Sequence, residues 1–273
     1  GQRSPQLQRW LMASALLNRF NADLCDAMFD RTDNHSHEII TYLEQANLFL
    51  MPLDYEGRWY RYHNLVRDFL RHRAQQMLHS EDIKTFQIKA GLWLTQNGQY
   101  DEALELFAAA QAYSHITDLI EQHFLEAVQY NALRTLLKRW LSYIPESFIQ
   151  TQPSLMMRKA EYAYYCSNIG AASILLTQAQ TLLDSLGESI SPLRHKNISR
   201  DIAGLKLIIA FIGGNYEAVI HGNDEMIANI ITDPKLLHYE PLLYYINAKA
   251  ISGCVDEADN LLTQAIAQAQ NAS

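Results

Sequence analysis

The spacing of apolar positions changes twice along the chain. Residues 4–46 carry apolar side chains at helical spacing in short segments separated by polar turns. Residues 48–63 show a short apolar run, a turn with Gly57 and an aromatic, strand-like segment, which together predict a β-hairpin. Helical spacing returns at Leu65 and continues to the end of the chain. The pattern therefore predicts an all-α protein with one small β-hairpin.

The first part of this pattern predicts a winged-helix-like unit over residues 1–78. Ser4 and Pro5 indicate a helix start, because serine caps helices and proline is favoured at the first helical position. This helix is expected to run to about Phe20. Two more helices, the hairpin and a closing helix complete the unit. The expected apolar face of the closing helix includes Leu65, Val66, Phe69, Leu70 and Met77.

Beyond Ser80 the pattern predicts pairs of helices. A short turn rich in glycine and asparagine recurs, and an alanine follows it at Ala103, Ala172, Ala218 and Ala258. A small alanine lets two helices approach closely, and such pairs must stack on neighbours to bury their apolar stripes. The sequence Leu-Leu-Thr-Gln-Ala also occurs twice, at 175–179 and 261–265. We therefore predict a helical arm over 79–150 and a tetratricopeptide-like α-solenoid over 151–273.

Charge and cysteine content narrow the class of protein. The net charge is −8, and residues 1–80 are balanced, so the remainder carries all of it. An acidic body is a poor non-specific binder of nucleic acid. Three cysteines without a C-x-x-C spacing argue against a disulfide framework or a zinc site and fit a reducing cytoplasm. With no apolar run of membrane length, and ends close to helical patterns, we expect an excised, non-membrane fragment.

Catalytic motifs are missing from the sequence. It contains no phosphate-binding G-x-x-x-x-G-K-[ST] loop, no G-x-G-x-x-G, no H-E-x-x-H and no G-x-S-x-G. His35-Ser36-His37-Glu38 has local metal-ligand spacing, but a solvated loop is strongly favoured over a metal site. We expect no enzyme activity, no metal and no cofactor in this chain.

Two other groups of residues allow alternative interpretations. Arg67, Arg71 and Arg73 lie together on the helix after the hairpin and could contact DNA, although Asp68 interrupts them and a solvated or domain-contacting face is favoured. The second group consists of tyrosines. They suit a groove that binds a peptide or a sugar, and they equally suit ordinary packing between helices. Its tyrosines are Tyr162, Tyr165, Tyr244 and Tyr245.

The hairpin and the helix that follows it resemble a known family. Leu48-Phe49-Leu50, Leu53-Asp54, the run from Arg58 to Leu65 (Arg-Trp-Tyr-Arg-Tyr-His-Asn-Leu) and Phe69-Leu70 are similar to the corresponding stretch of MalT-like activators of the LuxR family. The similarity continues to about residue 165. It implies a central fragment of a signal-transduction ATPase of the STAND class. Such a protein has a nucleotide-binding module before the winged helix, a repeat-built sensor after it and a C-terminal helix-turn-helix.

The resemblance also implies roles for residues and partners. In related switch ATPases a winged-helix histidine contacts the ADP phosphate, and His63 occupies the matching place, between Tyr62 and Asn64. Its alternative role is to cap the next helix or to pack on the hairpin. ATP and ADP would be cofactors of the parent only. The implied partners are that nucleotide-binding domain and an inducer or regulatory protein on the repeats, with no direct nucleic acid contact. The runner-up function is a free-standing repeat adaptor, and a winged-helix DNA binder is the third.

Overall fold

The fold is all-α with one antiparallel β-hairpin, as the sequence predicts. The computed structural model describes residues 5–46, 49–54, 58–128, 133–232 and 240–271. The chain forms two compact units. The first takes Gly1–Gln129 with Ser142–Ile144, and the second takes Tyr130–Leu141 with Pro145–Ser273.

The first unit contains the winged helix and the helices that follow it. Its elements are α1 (Pro5–Ser14), α2 (Ala22–Met28), α3 (His35–Gln45), β1 (Leu50–Pro52), β2 (Tyr60–Tyr62), α4 (Asn64–Met77), α5 (Ser80–Gln96), α6 (Tyr100–Ala109) and α7 (Tyr113–Val128). The predicted hairpin turn falls partly on residues 55–57, which lie outside the described residues.

The second unit is built from helices only in its described residues. Its helices are α8 (Leu133–Leu141), α9 (Glu146–Ile149), α10 (Pro153–Tyr165), α11 (Ile169–Leu186), α12 (Pro192–Ile212), α13 (Tyr216–Ile220), α14 (Asp224–Thr232), α15 (Glu240–Ile251) and α16 (Val255–Asn271). The predicted arm, 79–150, is therefore shared between both units. The three-part division of the chain stays a prediction.

Helix α1 is shorter than predicted, because it ends at Ser14 rather than near Phe20. The Ser14 hydroxyl donates to the carbonyl of Trp10 at 2.9 Å within the last turn. The chain then passes through turns and bends to Phe20, which exchanges two backbone hydrogen bonds with Tyr60, at 2.8 and 2.9 Å. Pairing with the hairpin thus replaces the last predicted turns of the helix.

The hairpin is fixed by two tyrosines that point into the unit. Leu50 pairs with Tyr62 and Pro52 with Tyr60. Tyr60 and Tyr62 are buried, whereas Arg61 between them is exposed, as the period of two in a strand requires. The Tyr62 hydroxyl shares a hydrogen bond of 2.8 Å with Ser14, and its ring lies 5.0 Å from that of Phe20. This alternation directs the next residue, His63, outward.

The winged helix packs directly on the helices that follow it in the first unit. Arg19 donates through Nε to both carboxylate oxygens of Glu102, at 3.0 and 3.1 Å. Its guanidinium also lies 4.4 Å from the ring centroid of Trp59, which meets Trp93 edge-on at 6.3 Å. A planar, bidentate and aromatic-stacked arginine is a contact that lysine could not reproduce.

One turn geometry recurs between helices in both units. In each case a residue with left-handed backbone angles ends the first helix, and the next amide donates to a carbonyl five residues earlier, at 2.8–2.9 Å, as in a Schellman motif. The left-handed residues are Gly98, Gln111, Ser167, Gly214 and Gly253, with φ between 56° and 90°.

This turn sets which residue of the next helix is buried. The fifth residue after the left-handed position is at most 3% exposed in every case: Ala103, Ile116, Ala172, Val219 and Ala258. Our prediction that Ala218 is the buried residue of its turn is wrong, because Ala218 is exposed. Of the two adjacent glycines only Gly214 has a positive φ, of 75°, so the register falls one residue later than the sequence pattern suggests.

Candidate functional site

His63 lies at the start of α4, immediately after strand β2. Its backbone amide donates to the Phe49 carbonyl at 3.0 Å, and its carbonyl accepts from the amides of Val66 and Arg67. Its side chain is exposed and forms no capping hydrogen bond. The alternative in which the His63 side chain caps α4 is therefore wrong. The positive end of the α4 dipole lies beside an outward-facing imidazole, an arrangement that suits an anion.

Large apolar side chains are exposed on α4 and at Phe49, whose carbonyl accepts from the His63 amide. Leu65 is 76% exposed, Phe69 62% and Phe49 61%. We predicted that Leu65, Phe69 and Met77 form the buried face of α4, and this is wrong, since Met77 is also 52% exposed and Ala74 is the buried residue. Exposed apolar side chains grouped in this way make the region a candidate for contact with another domain or protein. We call Phe49, His63, Leu65 and Phe69 the His63 surface.

The neighbouring arginines are only partly available to a ligand. Arg71 donates to the carbonyls of Ala15 and Leu16, at 2.7 and 3.1 Å, so its role is to bind the end of the α1 segment. Burial is the largest effect on its guanidinium and lowers the pKa of Arg71. Arg67 pairs with Asp68 at 3.3 Å. Arg67 and Arg71 are thus engaged within the unit, which weakens the DNA-binding interpretation, whereas Arg73 is exposed.

The second unit carries a continuous row of aromatic rings. Tyr164 meets Tyr165 edge-on at 5.0 Å, and Phe211 lies 5.1 Å from Tyr244 and 5.2 Å from Tyr216. Burial raises the pKa of Tyr164, and a hydrogen bond to Tyr244 raises it further. This hydrogen bond joins the two halves of the row. All five rings are half-buried, so each leaves part of its surface to solvent. We call these five residues the aromatic ridge; it crosses α10, α12 and α15 and reaches α13.

The sequence-predicted tyrosines divide between this ridge and other places. Tyr165 and Tyr244 belong to it, and the Tyr165 hydroxyl donates to Glu240 at 3.4 Å. Tyr162 bonds instead to Cys166, and this hydrogen bond is the main cause of the raised pKa of Tyr162. Tyr245 is only 1% exposed and donates to Asp224 of α14. Burial and that bond raise the pKa of Tyr245 to about 12.

Tyr245 is one of the residues that line a separate depression in the second unit. Its volume is about 350 Å³, and α14, α15 and α16 form its walls. Lys249 lies 5.6 Å from the Tyr245 ring centroid and pairs with Glu257 at 2.8 Å. The lysine charge is thus neutralised inside the unit, and the pair joins α15 to α16.

A buried ionic group holds the helices beneath the ridge. Arg158 of α10 pairs with Asp201 of α12 and, at 2.8 Å, with Glu161. Arg200 adds a contact of 2.9 Å to the same aspartate. Burial raises the pKa of Glu161 despite the arginine. Breaking such a group by removing one partner leaves an uncompensated buried charge, so it fixes α10 against α12.

Sequence reasoning missed part of the ridge. Phe211 and Tyr216 flank the Gly213-Gly214 turn and were not among the predicted site residues. Tyr216 stands two residues after the left-handed position, and Tyr100 has the same place after Gly98, where its ring stacks on His123 at 4.8 Å. A tyrosine two residues after the turn glycine was therefore the sequence feature from which the role of Tyr216 could have been predicted.

The remaining sequence candidates take ordinary structural places. Ser36 of the His-Ser-His-Glu segment is buried, and its hydroxyl accepts from the Trp10 indole at 2.9 Å. Among the described residues, no three histidine, cysteine or acidic side chains are placed to hold a metal ion. None of the described helices combines the length and apolar character needed to cross a bilayer.

Comparison with known proteins supports one class. Hairpin, closing helix and exposed histidine define a winged-helix domain joined to helix pairs, and residues 1–82 match the family model described as the MalT winged helix domain. The chain is also 28% identical, over 175 residues, to the HTH-type transcriptional regulator MalT of Cronobacter sakazakii. That match covers 63% of this chain and 19% of the relative's length. The chain is therefore similar to a MalT-type regulator, and its match to the MalT winged helix domain lies in residues 1–82.

Proposed function

We propose that this chain is a non-catalytic regulatory part of a signal-responsive transcriptional activator of the MalT type. It couples the binding of an inducer or regulatory protein to a nucleotide switch elsewhere in the parent protein. The similarity to a MalT regulator over both units supports the general role. The observation that carries the proposed coupling is the His63 surface.

The His63 surface has the chemistry needed to contact a nucleotide-binding domain. The exposed imidazole can donate a hydrogen bond to an ADP phosphate, and the uncapped start of α4 favours the same anion. Leu65 and Phe69 supply apolar area that a domain contact would bury. The nucleotide itself would be held mainly by the parent's nucleotide-binding domain, and this chain would supply the closing contact.

The test is His63→Ala in the intact parent protein. Loss of one charge-assisted hydrogen bond costs about 1.5–3 kcal/mol. We therefore expect ADP to dissociate roughly ten- to a hundredfold faster, with increased transcription in the absence of inducer. His72→Ala is the matched control, because His72 is exposed on the same helix and bonds only to Gln76. Unchanged ADP release from the His63 variant would contradict the proposal.

The aromatic ridge is the proposed binding surface for the inducer or regulatory protein. Stacked successive helices present an extended surface, and tyrosines combine apolar rings with hydroxyl groups. In the parent, Tyr244→Ala should raise the inducer concentration needed for half-maximal transcription by about tenfold or more. Tyr162→Ala is the control, because its side chain bonds to Cys166 rather than to the ridge. Equal effects of both variants would remove the ridge from the proposal.

A free-standing repeat adaptor remains the second candidate function. The same ridge would then bind a partner protein without any nucleotide switch, and His63→Ala would have no effect on signalling. The third interpretation, a winged-helix DNA binder, is weaker because Arg71 is bound within its own unit. Measuring ADP release and ridge binding in the same parent protein separates the first two.

A further inference from the structure

A cavity of about 440 Å³ lies in the first unit, between α1, the turn after α2 and α5. Sites for small molecules have volumes of about 300–1,000 Å³. The buried residues that line this cavity are apolar, namely Trp10, Met28 and Phe86. Phe29 also lines it, and its ring centroid lies 4.9 Å from that of Phe86. The cavity therefore offers aromatic surface to a ligand with an apolar body.

Buried polar contacts fix the walls of this cavity. The Trp10 indole donates to the Ser36 hydroxyl at 2.9 Å, and the Ser36 amide donates to the Asp26 carboxylate at 3.0 Å. The Asp26 carbonyl accepts from the amide of Arg31 at 2.9 Å, just after Asp30, whose φ is 52°. Asp26 and Ser36 are both buried. The turn after α2 is thus held against α1 before a ligand arrives, and a preformed site loses less freedom on binding.

Charged side chains of both signs stand around the cavity. Among the described residues they form three ion pairs, which are Arg9–Asp82, Lys89–Asp30 and Arg31–Asp33. Five of these six residues line the cavity, and Asp33 is joined to it through Arg31. The three pairs together carry no net charge. A ligand with one charge would therefore gain little net attraction, whereas a ligand with both charges finds a complement for each.

One of these ion pairs is looser than a direct hydrogen bond. Arg9 and Asp82 approach only to 3.5 Å, and their side chains are 52% and 40% exposed. A charge-assisted hydrogen bond is shorter, about 2.7–2.9 Å. Arg31, by contrast, donates two hydrogen bonds to Asp33, at 3.0 and 2.8 Å. The Arg9 guanidinium also lies 5.5 Å from the ring centroid of Phe86, so the loose pair stands beside the aromatic lining.

We propose that this cavity binds a free α-amino acid with an aromatic side chain. The Arg9 guanidinium donates to the carboxylate of the ligand, and Asp82 accepts from its ammonium group. The ring of the ligand packs on Phe29 and Phe86. An amino acid carries its two charges on one carbon atom, which matches the closeness of Arg9 and Asp82. The bound ligand joins α1 to α5, and this site is independent of the His63 surface and of the aromatic ridge.

Isothermal titration calorimetry of the full chain with three matched compounds tests the ligand class. L-Phenylalanine carries both charges, L-phenylalaninamide lacks the carboxylate and N-acetyl-L-phenylalanine lacks the ammonium group. Loss of one charge-assisted hydrogen bond weakens binding by about tenfold or more, so the amide and the N-acetyl compound should bind that much less tightly than L-phenylalanine.

Each other result of this titration overturns the proposal. An amide that binds as tightly as L-phenylalanine would assign the cavity to the amino-terminal end of a peptide. An N-acetyl compound that does so would assign it to a carboxy-terminal end. If L-phenylalanine shows no saturable binding at millimolar concentrations, the cavity is not an amino acid site.

Two substitutions test the roles of the charged groups. Arg9→Gln should weaken binding of L-phenylalanine by about tenfold or more and make it equal to binding of the amide. Asp82→Asn should make it equal to binding of the N-acetyl compound. Lys84→Gln is the control, because Lys84 lies on α5 and pairs with Glu81 at 3.1 Å without lining the cavity. Native affinity in both test variants would refute the assigned contacts.

Hydrogen exchange locates the bound amino acid without any substitution. L-Phenylalanine at ten times its dissociation constant should slow exchange in α1 and α5 by about tenfold. Exchange in the second unit, for example in α11, should keep its rate, because that unit does not contact the cavity. Equal slowing in both units would contradict binding at this cavity.

Discussion

Replacing Gly91 by alanine tests how closely α5 and α6 pack in the first unit. A Cβ at this position would lie 2.5 Å from Cε1 of Phe107 and 2.9 Å from two other ring atoms. Normal contact between carbon atoms is about 3.5–4.0 Å. The Phe107 ring is 1% exposed and stacks on His115 at a centroid distance of 5.2 Å, so it has little room to move aside.

Two opposing effects decide the sign of this substitution. Alanine is favoured over glycine inside a helix by about 1 kcal/mol. Forcing an extra methyl group into a closely packed contact costs about 1–3 kcal/mol. Because the overlap involves a confined ring, we expect the packing cost to exceed the propensity gain. The first unit should lose up to about 2 kcal/mol of unfolding free energy.

Urea unfolding followed by far-ultraviolet circular dichroism and tryptophan fluorescence measures the effect. Gly170→Ala in α11 is the control, because no atom lies within 4 Å of the Cβ it would add. That variant should be neutral or gain up to about 1 kcal/mol. Adding Phe107→Leu should reduce the cost of Gly91→Ala. If Gly91→Ala stabilises the chain as Gly170→Ala does, the close approach of α5 and α6 is wrong.

Two further predictions concern the turns and the hairpin. Gly253→Ala, at φ 90°, should lower the free energy of unfolding by about 1–2 kcal/mol. Ser167→Gly, at φ 61°, should leave it unchanged or raise it in the same urea assay. Changes of the same sign and size in both variants would contradict the turn geometry. Burial, only partly offset by the Ser14 bond, raises the pKa of Tyr62 above the value of about 10 in an unfolded chain. Above pH 10 the unfolded state loses the Tyr62 proton before the folded state does. The contribution of Tyr62 to the free energy of unfolding should therefore be fully present below pH 10 and should decline as the pH rises. Tyr62→Phe should remove that part of the decline. A decline of the same size in the variant would assign it to other groups.

The sequence predicted the candidate site unevenly. His63 was identified through a family resemblance, whereas its outward direction was decided by the structure, in which Tyr62 is buried and His63 is exposed. The ridge was predicted only as separate tyrosines. Whether Tyr165 and Tyr244 meet depends on how α10, α12 and α15 pack, and no local pattern carries that information. For the same reason the tyrosines at 162 and 245 could not be separated from the ridge in advance.

By itself the sequence determined the elements of this protein. Helical and strand periods and glycine turns are local properties, so the hairpin at 50–62 was predicted close to its observed position. The tertiary structure decided which apolar side chains are buried. Leu65 and Leu262 both lie on helix stripes that look like core, yet both are exposed, because burial requires a neighbouring element that helical periodicity cannot specify.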